Sequence, residues 1–164
     1  SPEECAEWIA FAESGGFADA PITTAAGPVM APGVRNNTRV MVDDPQRAAE
    51  LWETLEPVVP ERPGFGEAVG LNERLRFYRY APGQSFRWHL DGAYERPNGE
   101  RSRLTFMIYL NEGFEEGETS FRDVVVEPRV GRALLFVHQQ MHEGAELRTG
   151  RKYVLRSDVM FAAP

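Results

Sequence analysis

Gln84-Ser85-Phe86-Arg87-Trp88-His89-Leu90-Asp91 lies between two turn signals, Pro82-Gly83 before it and Gly92 after it. A run of this length bounded by such residues reads as a β-strand. On a strand, residues i and i+2 point to the same face. His89 and Asp91 would then present an imidazole and a carboxylate side by side. The strands on either side of this run decide the fold.

Upstream, Leu75-Arg76-Phe77-Tyr78-Arg79-Tyr80 alternates and is rich in aromatics, as a strand should be. Downstream, residues 92–102 form a polar loop that could close over a site as a lid. Arg103 to Asn111 is a strongly apolar strand, and Glu118 to Val126 holds one or two short ones. Arg132 to Val137, after Gly131, reads as a central buried strand. His142 to Leu147 and Arg151 to Phe161 complete the series. Roughly eight short strands imply a mainly β, closed or double-sheet core, a jelly roll of the cupin kind.

The N-terminal section has a different texture. Ser1-Pro2-Glu3-Glu4 gives a helix cap, a proline at the first helical position and acidic residues in the first turn. Cys5, Trp8, Ile9 and Phe11 follow at helical spacing, and Gly15-Gly16 ends the helix. Asp44-Pro45 starts a second helix carrying Ala48, Leu51, Trp52 and Leu55, which stops before Pro57. Residues 17–40 read as short extended pieces, and 58–72 as an exposed loop. The expected organisation is one domain over 1–164, with 1–72 a helical and irregular support and 73–164 the jelly-roll core.

Composition narrows the function. No stretch approaches the length of a membrane span, and no basic segment precedes an apolar run at the start. Cys5 is the only cysteine, so intrachain disulfides and cysteine-built metal sites are excluded. A cytoplasmic setting is the corresponding expectation. The net charge of −7 argues against a general nucleic-acid binder.

Three histidines are present, so a second imidazole for a site at His89 and Asp91 must be His138 or His142. A lone strand histidine is ordinarily a hydrogen-bonded core residue, and Asp91-Gly92 by itself is an ordinary turn pair. Together, two histidines and one carboxylate on one face would leave coordination positions open, the arrangement of non-haem Fe(II) oxygenases. Lys152 is the only lysine among eighteen basic residues.

Five ordered stretches extend this pattern. They are Tyr80 to Asp91, Arg103 to Asn111, Gly117 to Phe121, Gly131 to Phe136, and His142 to Gly144 continued by Gly150 to Tyr153. Over Leu75–Phe161 the chain resembles the prolyl 4-hydroxylase family of Fe(II)/2-oxoglutarate dioxygenases. The resemblance implies that His89, Asp91 and His142 hold the iron and act in catalysis. It also implies that Lys152, ten residues after His142, pairs with the distal carboxylate of 2-oxoglutarate. Tyr109 and Tyr80 match the family's co-substrate tyrosines, and His138 falls behind the ligands or into the core. The implied cofactors are Fe(II) and 2-oxoglutarate, with ascorbate as a reductant to be tested. The implied partners are dioxygen and a peptidyl proline, amino acid or small metabolite, hydroxylated with release of succinate and CO2.

Alternation along the last strand puts Lys152, Val154, Arg156, Asp158 and Met160 on one face and Tyr153, Leu155, Ser157, Val159 and Phe161 on the other. The second face is apolar enough to meet the helices, so the first faces the cavity. Arg156 is thereby a substrate-contact candidate, or else half of a structural pair with Asp158. Thr105 shares the Tyr109 face and either lines the pocket or fills the strand, the second being the preferred reading. Arg35-Asn36-Asn37-Thr38-Arg39 could bind an amide or carboxylate from a substrate-facing strand, but its polarity favours the reading as a solvated loop. The competing function is a non-catalytic, cupin-like metal-binding or sensor domain, in which Lys152 would have no carboxylate to meet.

Overall fold

The structure, a computed structural model, describes residues 1–163. In chain order its elements are α1 (Pro2–Ser14), β1 (Ala18–Asp19), β2 (Ile22–Thr24), β3 (Gly27–Val29), β4 (Thr38–Asp43), α2 (Pro45–Leu55), a 3-10 turn (Glu56–Val58), β5 (Ala68–Leu71), β6 (Arg74–Tyr80) and β7 (Phe86–His89). They continue with β8 (Arg101–Tyr109), β9 (Glu115–Glu116), β10 (Thr119–Phe121), β11 (Val125–Val126), β12 (Ala133–Val137), β13 (His142–Gly144), β14 (Leu147–Thr149) and β15 (Lys152–Phe161).

Seven strands form the major sheet, in the order β1-β4-β6-β15-β8-β12 with β5 also paired to β15. The minor sheet runs β11-β10-β13-β7, and all pairings in both are antiparallel. Two facing sheets of this kind make the double-stranded β-helix expected from the strand pattern.

Helix α1 carries the predicted capping box, in which Ser1 accepts from the Glu4 amide. In α2 the Asp44 side chain accepts from the Arg47 amide. Both helices lie against the outer face of the major sheet. Tyr153, Leu155, Val159 and Phe161 of β15 meet Cys5, Ala12, Ala48 and Leu55 in one buried cluster. The opposite face of the sheet holds a second cluster with Tyr78, Tyr80, Tyr109 and Val154. The alternation read along the last strand is therefore the physical division between core and cavity.

Four expectations need correction. Residues 58–72 are not all loop, because Val159 to Phe161 pair with Ala68 to Leu71. The short β5 carries Gly70, so no alternating pattern announces it. The strand at Ala133–Val137 is at the edge of the major sheet rather than its centre; its two faces are nonetheless covered, Leu135 and Val137 by the helix-side cluster and Leu134 and Phe136 by the cavity-side one. Residues 92–102 are pinned rather than free. Arg96 forms ion pairs with Glu73 and Glu100 and also donates to the Leu71 carbonyl at 3.2 Å. The N-terminal section also does more than support the core, since β1, β4 and β5 are strands of the major sheet.

Candidate metal centre and its cavity

Strand β7 ends at His89, so Asp91 lies just beyond it, and its amide donates to the His138 carbonyl at 3.1 Å. His142 opens β13 and sits directly opposite His89 in the antiparallel register. Facing positions on paired strands bring side chains close, and the two imidazole centroids are 4.2 Å apart. Asp91 completes the set, with Oδ1 3.8 Å from His89 Nε2 and Oδ2 3.7 Å from His142 Nε2. One donor atom from each of the three residues lies within 4.8 Å of the others.

The other ring nitrogens are tied down. His89 Nδ1 donates to the Arg87 carbonyl at 2.7 Å, and His142 Nδ1 to the Gln140 carbonyl at 2.9 Å. A proton fixed on Nδ1 leaves each Nε2 lone pair free for a metal. Phe86 stacks on His89 with centroids 3.5 Å apart. Burial, reinforced by the neighbouring His142, lowers the His89 pKa to about 4. Burial also lowers that of His142. Both imidazoles are neutral at physiological pH, the state a ligand needs. Burial works against the Asp91 charge, but Arg156 and His142 outweigh it and lower its pKa. Two neutral imidazoles and a carboxylate converging from one side suit a divalent iron with open positions.

Asp91 is held from behind. Thr105 Oγ1 donates to Asp91 Oδ2 at 2.5 Å, and Arg156 Nη2 lies 3.1 Å from Asp91 Oδ1. Having given its proton to Asp91, the Thr105 oxygen accepts from His138 Nδ1 at 3.0 Å. His138 Nε2 then accepts from Ser102 Oγ at 2.9 Å, and Ser102 Oγ accepts from the Tyr94 amide. His138 is thus fully buried behind the carboxylate, away from the donor cluster. Thr105 is more than strand filling. Its hydroxyl is the link between His138 and Asp91, and only the pairing of two loops with β8 reveals that.

The cavity beside the cluster is lined by Tyr80, Thr119, Gly144 and Lys152 at one end and by Tyr78 and Arg156 at the other. Lys152 is 2% exposed, and Nζ donates to the Gly117 carbonyl at 2.7 Å above the Tyr80 ring. It makes no salt bridge among the described residues. Burial lowers its pKa to about 7, against a small opposing pull from Glu118. Tyr80 reaches the cavity as expected, whereas the Tyr109 hydroxyl turns aside to Thr119 Oγ1 at 2.5 Å. The sequence reading overlooked Thr119 and Tyr78. Tyr78 shares a face of β6 with Tyr80, and that alternation was the available signal.

The Arg35–Arg39 segment departs from expectation. Arg35 and Asn37 are buried, not solvated. The Arg35 guanidinium lies 4.5 Å from the Tyr78 ring centroid and 4.4 Å from that of Phe86, and Nε donates to Asn37 Oδ1. Polar composition resembles a loop, but an arginine between two aromatic faces can be interior.

A double-stranded β-helix with two histidines and an aspartate beside a cavity is the arrangement of the non-haem Fe(II) oxygenases. The family model described as the 2OG-Fe(II) oxygenase superfamily matches residues 75–157. The chain belongs to that superfamily, whose members use Fe(II), 2-oxoglutarate and dioxygen. Among solved structures it is similar to the viral collagen prolyl hydroxylase of Paramecium Bursaria Chlorella virus-1 in complex with 2-oxoglutarate. That match has a TM-score of 0.67 and 19% identity, covering 99% of this chain and 92% of the other. A Pseudomonas putida prolyl-4-hydroxylase gives a TM-score of 0.65 at 21% identity, covering 96% and 82%. A Trichoplax adhaerens prolyl hydroxylase in complex with a hypoxia inducible factor peptide gives 0.68 at 17%, covering 96% and 74%. These likenesses establish the fold. No curated protein matches the chain. Among the described residues, no helix is long and apolar enough to cross a membrane.

Proposed function

We propose that residues 1–164 form one catalytic domain that hydroxylates a substrate while converting 2-oxoglutarate to succinate and CO2. His89, Asp91 and His142 hold the iron, and Lys152 anchors the distal carboxylate of 2-oxoglutarate. The observation that carries this reading is Lys152. A buried ammonium with one carbonyl partner is costly to maintain. Its position, on the same cavity wall as the donor cluster, is what a dicarboxylate bound to the metal would require. A domain that only bound metal would have no use for it.

Bound Fe(II) and 2-oxoglutarate supply the activation of dioxygen. The protein's own contribution is positional. The Arg87 and Gln140 carbonyls keep both histidines in the ligating tautomer. Thr105 and Arg156 fix the Asp91 carboxylate. Tyr80 supplies a ring beneath the Lys152 ammonium, and its hydroxyl is available to a bound carboxylate. The aromatic walls Phe86, Tyr78 and Tyr80 limit water at the reacting end.

Anaerobic titration with Fe(II) and 2-oxoglutarate tests this directly. The expected result is a visible charge-transfer band saturating at one iron per chain, with succinate released on admission of oxygen. Metal binding without a band, and without succinate, would favour the cupin-like alternative.

A further inference from the structure

Gly144 stands two residues after His142 on β13, opposite Thr119 of β10 and Phe86 of β7. Residues i and i+2 share a strand face. The missing side chain of Gly144 therefore faces the cavity that His142 faces, and both residues line it. A Cβ at this position would point to the Lys152 end. It would lie 3.6 Å from the Tyr80 hydroxyl oxygen and 3.9 Å from Lys152 Nζ.

Nothing in the protein itself demands glycine here. The φ of Gly144 is outside the left-handed region, whereas Gly117 and Gly150 lie inside it. The register shift between His142 and Gly144 thus forms without a left-handed residue. Nor is packing the reason. At Gly117 a Cβ would meet Leu147 Cδ1 at 2.9 Å, and at Gly150 it would meet Phe114 Cβ at 2.9 Å. At Gly144 every neighbour is at ordinary contact distance, so the ligand-free fold has room for a methyl group. Glycine loses more freedom on folding than alanine and weakens a strand. One that faces a cavity, and that neither backbone nor packing requires, marks a close approach of ligand to backbone.

The groups around this notch identify the part of the ligand. Lys152 has three N–H donors, and one is taken by the Gly117 carbonyl. The Tyr80 hydroxyl makes no hydrogen bond with any described residue and lines the same cavity. Burial keeps that phenol protonated. Two groups with donors to spare therefore flank the place where a side chain is missing, and the space between them belongs to the cavity. An anionic oxygen suits it. A methyl group would set an apolar surface against both donors, which is unfavourable for polar groups out of water.

We propose that Gly144 is a specificity-determining residue, whose bare backbone leaves the seat for the distal carboxylate of the co-substrate between Lys152 and Tyr80 and so selects a five-carbon 2-oxo diacid over shorter 2-oxo acids. A shorter acid held at the metal end does not reach the notch and gains nothing from it. A side chain at position 144 therefore removes the seat of the long co-substrate and leaves short ones undisturbed. This inference rests on the oxygenase reading and on Lys152 as carboxylate anchor, and adds the residue that sets the accepted length.

The test uses full-length protein loaded anaerobically with Fe(II) and titrated with 2-oxoglutarate, oxaloacetate or pyruvate, each Kd being read from the charge-transfer band. Oxaloacetate carries the same charges as 2-oxoglutarate but stops one carbon short, and should bind wild type at least about tenfold more weakly. In Gly144→Ala the 2-oxoglutarate Kd should rise at least about tenfold while that of pyruvate stays within about twofold. Fe(II) affinity, read by competition with a chelator, should be retained. A general loosening of β13 would instead weaken iron and all three acids together. The loss should also be less than additive with Tyr80→Phe, because a displaced carboxylate has no hydroxyl left to lose. Four results would overturn the proposal: equal binding of 2-oxoglutarate and oxaloacetate to wild type, an unchanged 2-oxoglutarate Kd in Gly144→Ala, parallel weakening of 2-oxoglutarate and pyruvate, or full additivity with Tyr80→Phe. The wild-type comparison needs no variant and decides the matter if the alanine chain does not fold. Absence of the band with every acid in wild type would instead refute the oxygenase reading.

Discussion

Thr105 Oγ1 lies 2.5 Å from Asp91 Oδ2 and 3.0 Å from His138 Nδ1. One hydroxyl thus couples a metal-ligand carboxylate to a buried histidine outside the ligand set. Such outer contacts orient ligands, and their loss typically costs about 10–100-fold in metal affinity or activity. Thr105→Val keeps the shape and removes the donor. Its Fe(II) affinity, read by competition with a chelator, is expected to fall within that range while the far-UV circular dichroism is unchanged. His138→Ala should weaken binding by the same route without abolishing turnover, whereas His89→Ala, Asp91→Ala and His142→Ala should each abolish it.

His138 and His142 are buried and His89 is half-buried, and all three have lowered pKa values with burial the main cause in each. The sign of the pH effect follows. An unfolded histidine takes up its proton near pH 6.5, about where model peptides do. In the fold the same groups resist until lower pH, about 4 for His89. Below about pH 6.5 the unfolded chain binds more protons, so stability falls with pH. Metal-free protein should therefore lose Tm steeply between about pH 6.5 and 4. His138→Gln should show a shallower loss. A Tm that is flat over this window in wild type would contradict neutral burial of the imidazoles.

The two cavity tyrosines separate by where their hydroxyls point. Tyr80 lines the cavity at the Lys152 end, while Tyr109 donates to Thr119. A hydrogen bond to a charged partner contributes about 1.5–3 kcal/mol. Tyr80→Phe should thus raise the 2-oxoglutarate Kd by roughly tenfold or more. Tyr109→Phe acts only through Thr119 and should have a smaller effect. Charge-transfer titrations of both variants make the comparison, and the reverse order would return Tyr109 to the co-substrate.

What could be read from the sequence follows the range of the interactions involved. Alternation on β15 and β6 set the cavity face, because strand periodicity is local. The helix caps at Ser1 and Asp44 are local too. The approach of His142 to His89 required a β13–β7 register that spans half the core, and the order of motifs pointed to it only through family resemblance. Arg35 was misread because its polarity was visible while the Tyr78 and Phe86 faces around it were not. Thr105 was undervalued for a similar reason. A threonine in an apolar strand looks like filling until the Asp91 loop and His138 are brought to either side of it.

Lys152 supplies the last prediction, in which stability and binding move in opposite directions. Its folded pKa is about 7, lowered by burial from near 10.5. Between those values the unfolded chain holds the extra proton, so Lys152 makes the metal-free, ligand-free protein more stable as pH rises from about 7 toward 10. 2-Oxoglutarate needs the ammonium. Above about pH 7 the free protein must take up a proton to bind it, so affinity should weaken with rising pH, by up to about tenfold per unit. Calorimetry in buffers of different ionisation enthalpy should register that proton uptake. Lys152→Met removes a buried cation and should raise the Tm of ligand-free protein. Lys152→Ala should retain Fe(II) yet lose 2-oxoglutarate affinity by at least about thirtyfold, since breaking a desolvated charge pair costs about 2–5 kcal/mol. Lys152→Arg should recover only part of this, because a planar fork requires a differently shaped pocket. The space is closed in by Gly144, whose Cβ position would be 3.9 Å from Nζ, and by the Gly117 carbonyl. Equal 2-oxoglutarate affinity in Lys152→Ala and wild type, with no pH dependence in either, would remove the lysine from the co-substrate site.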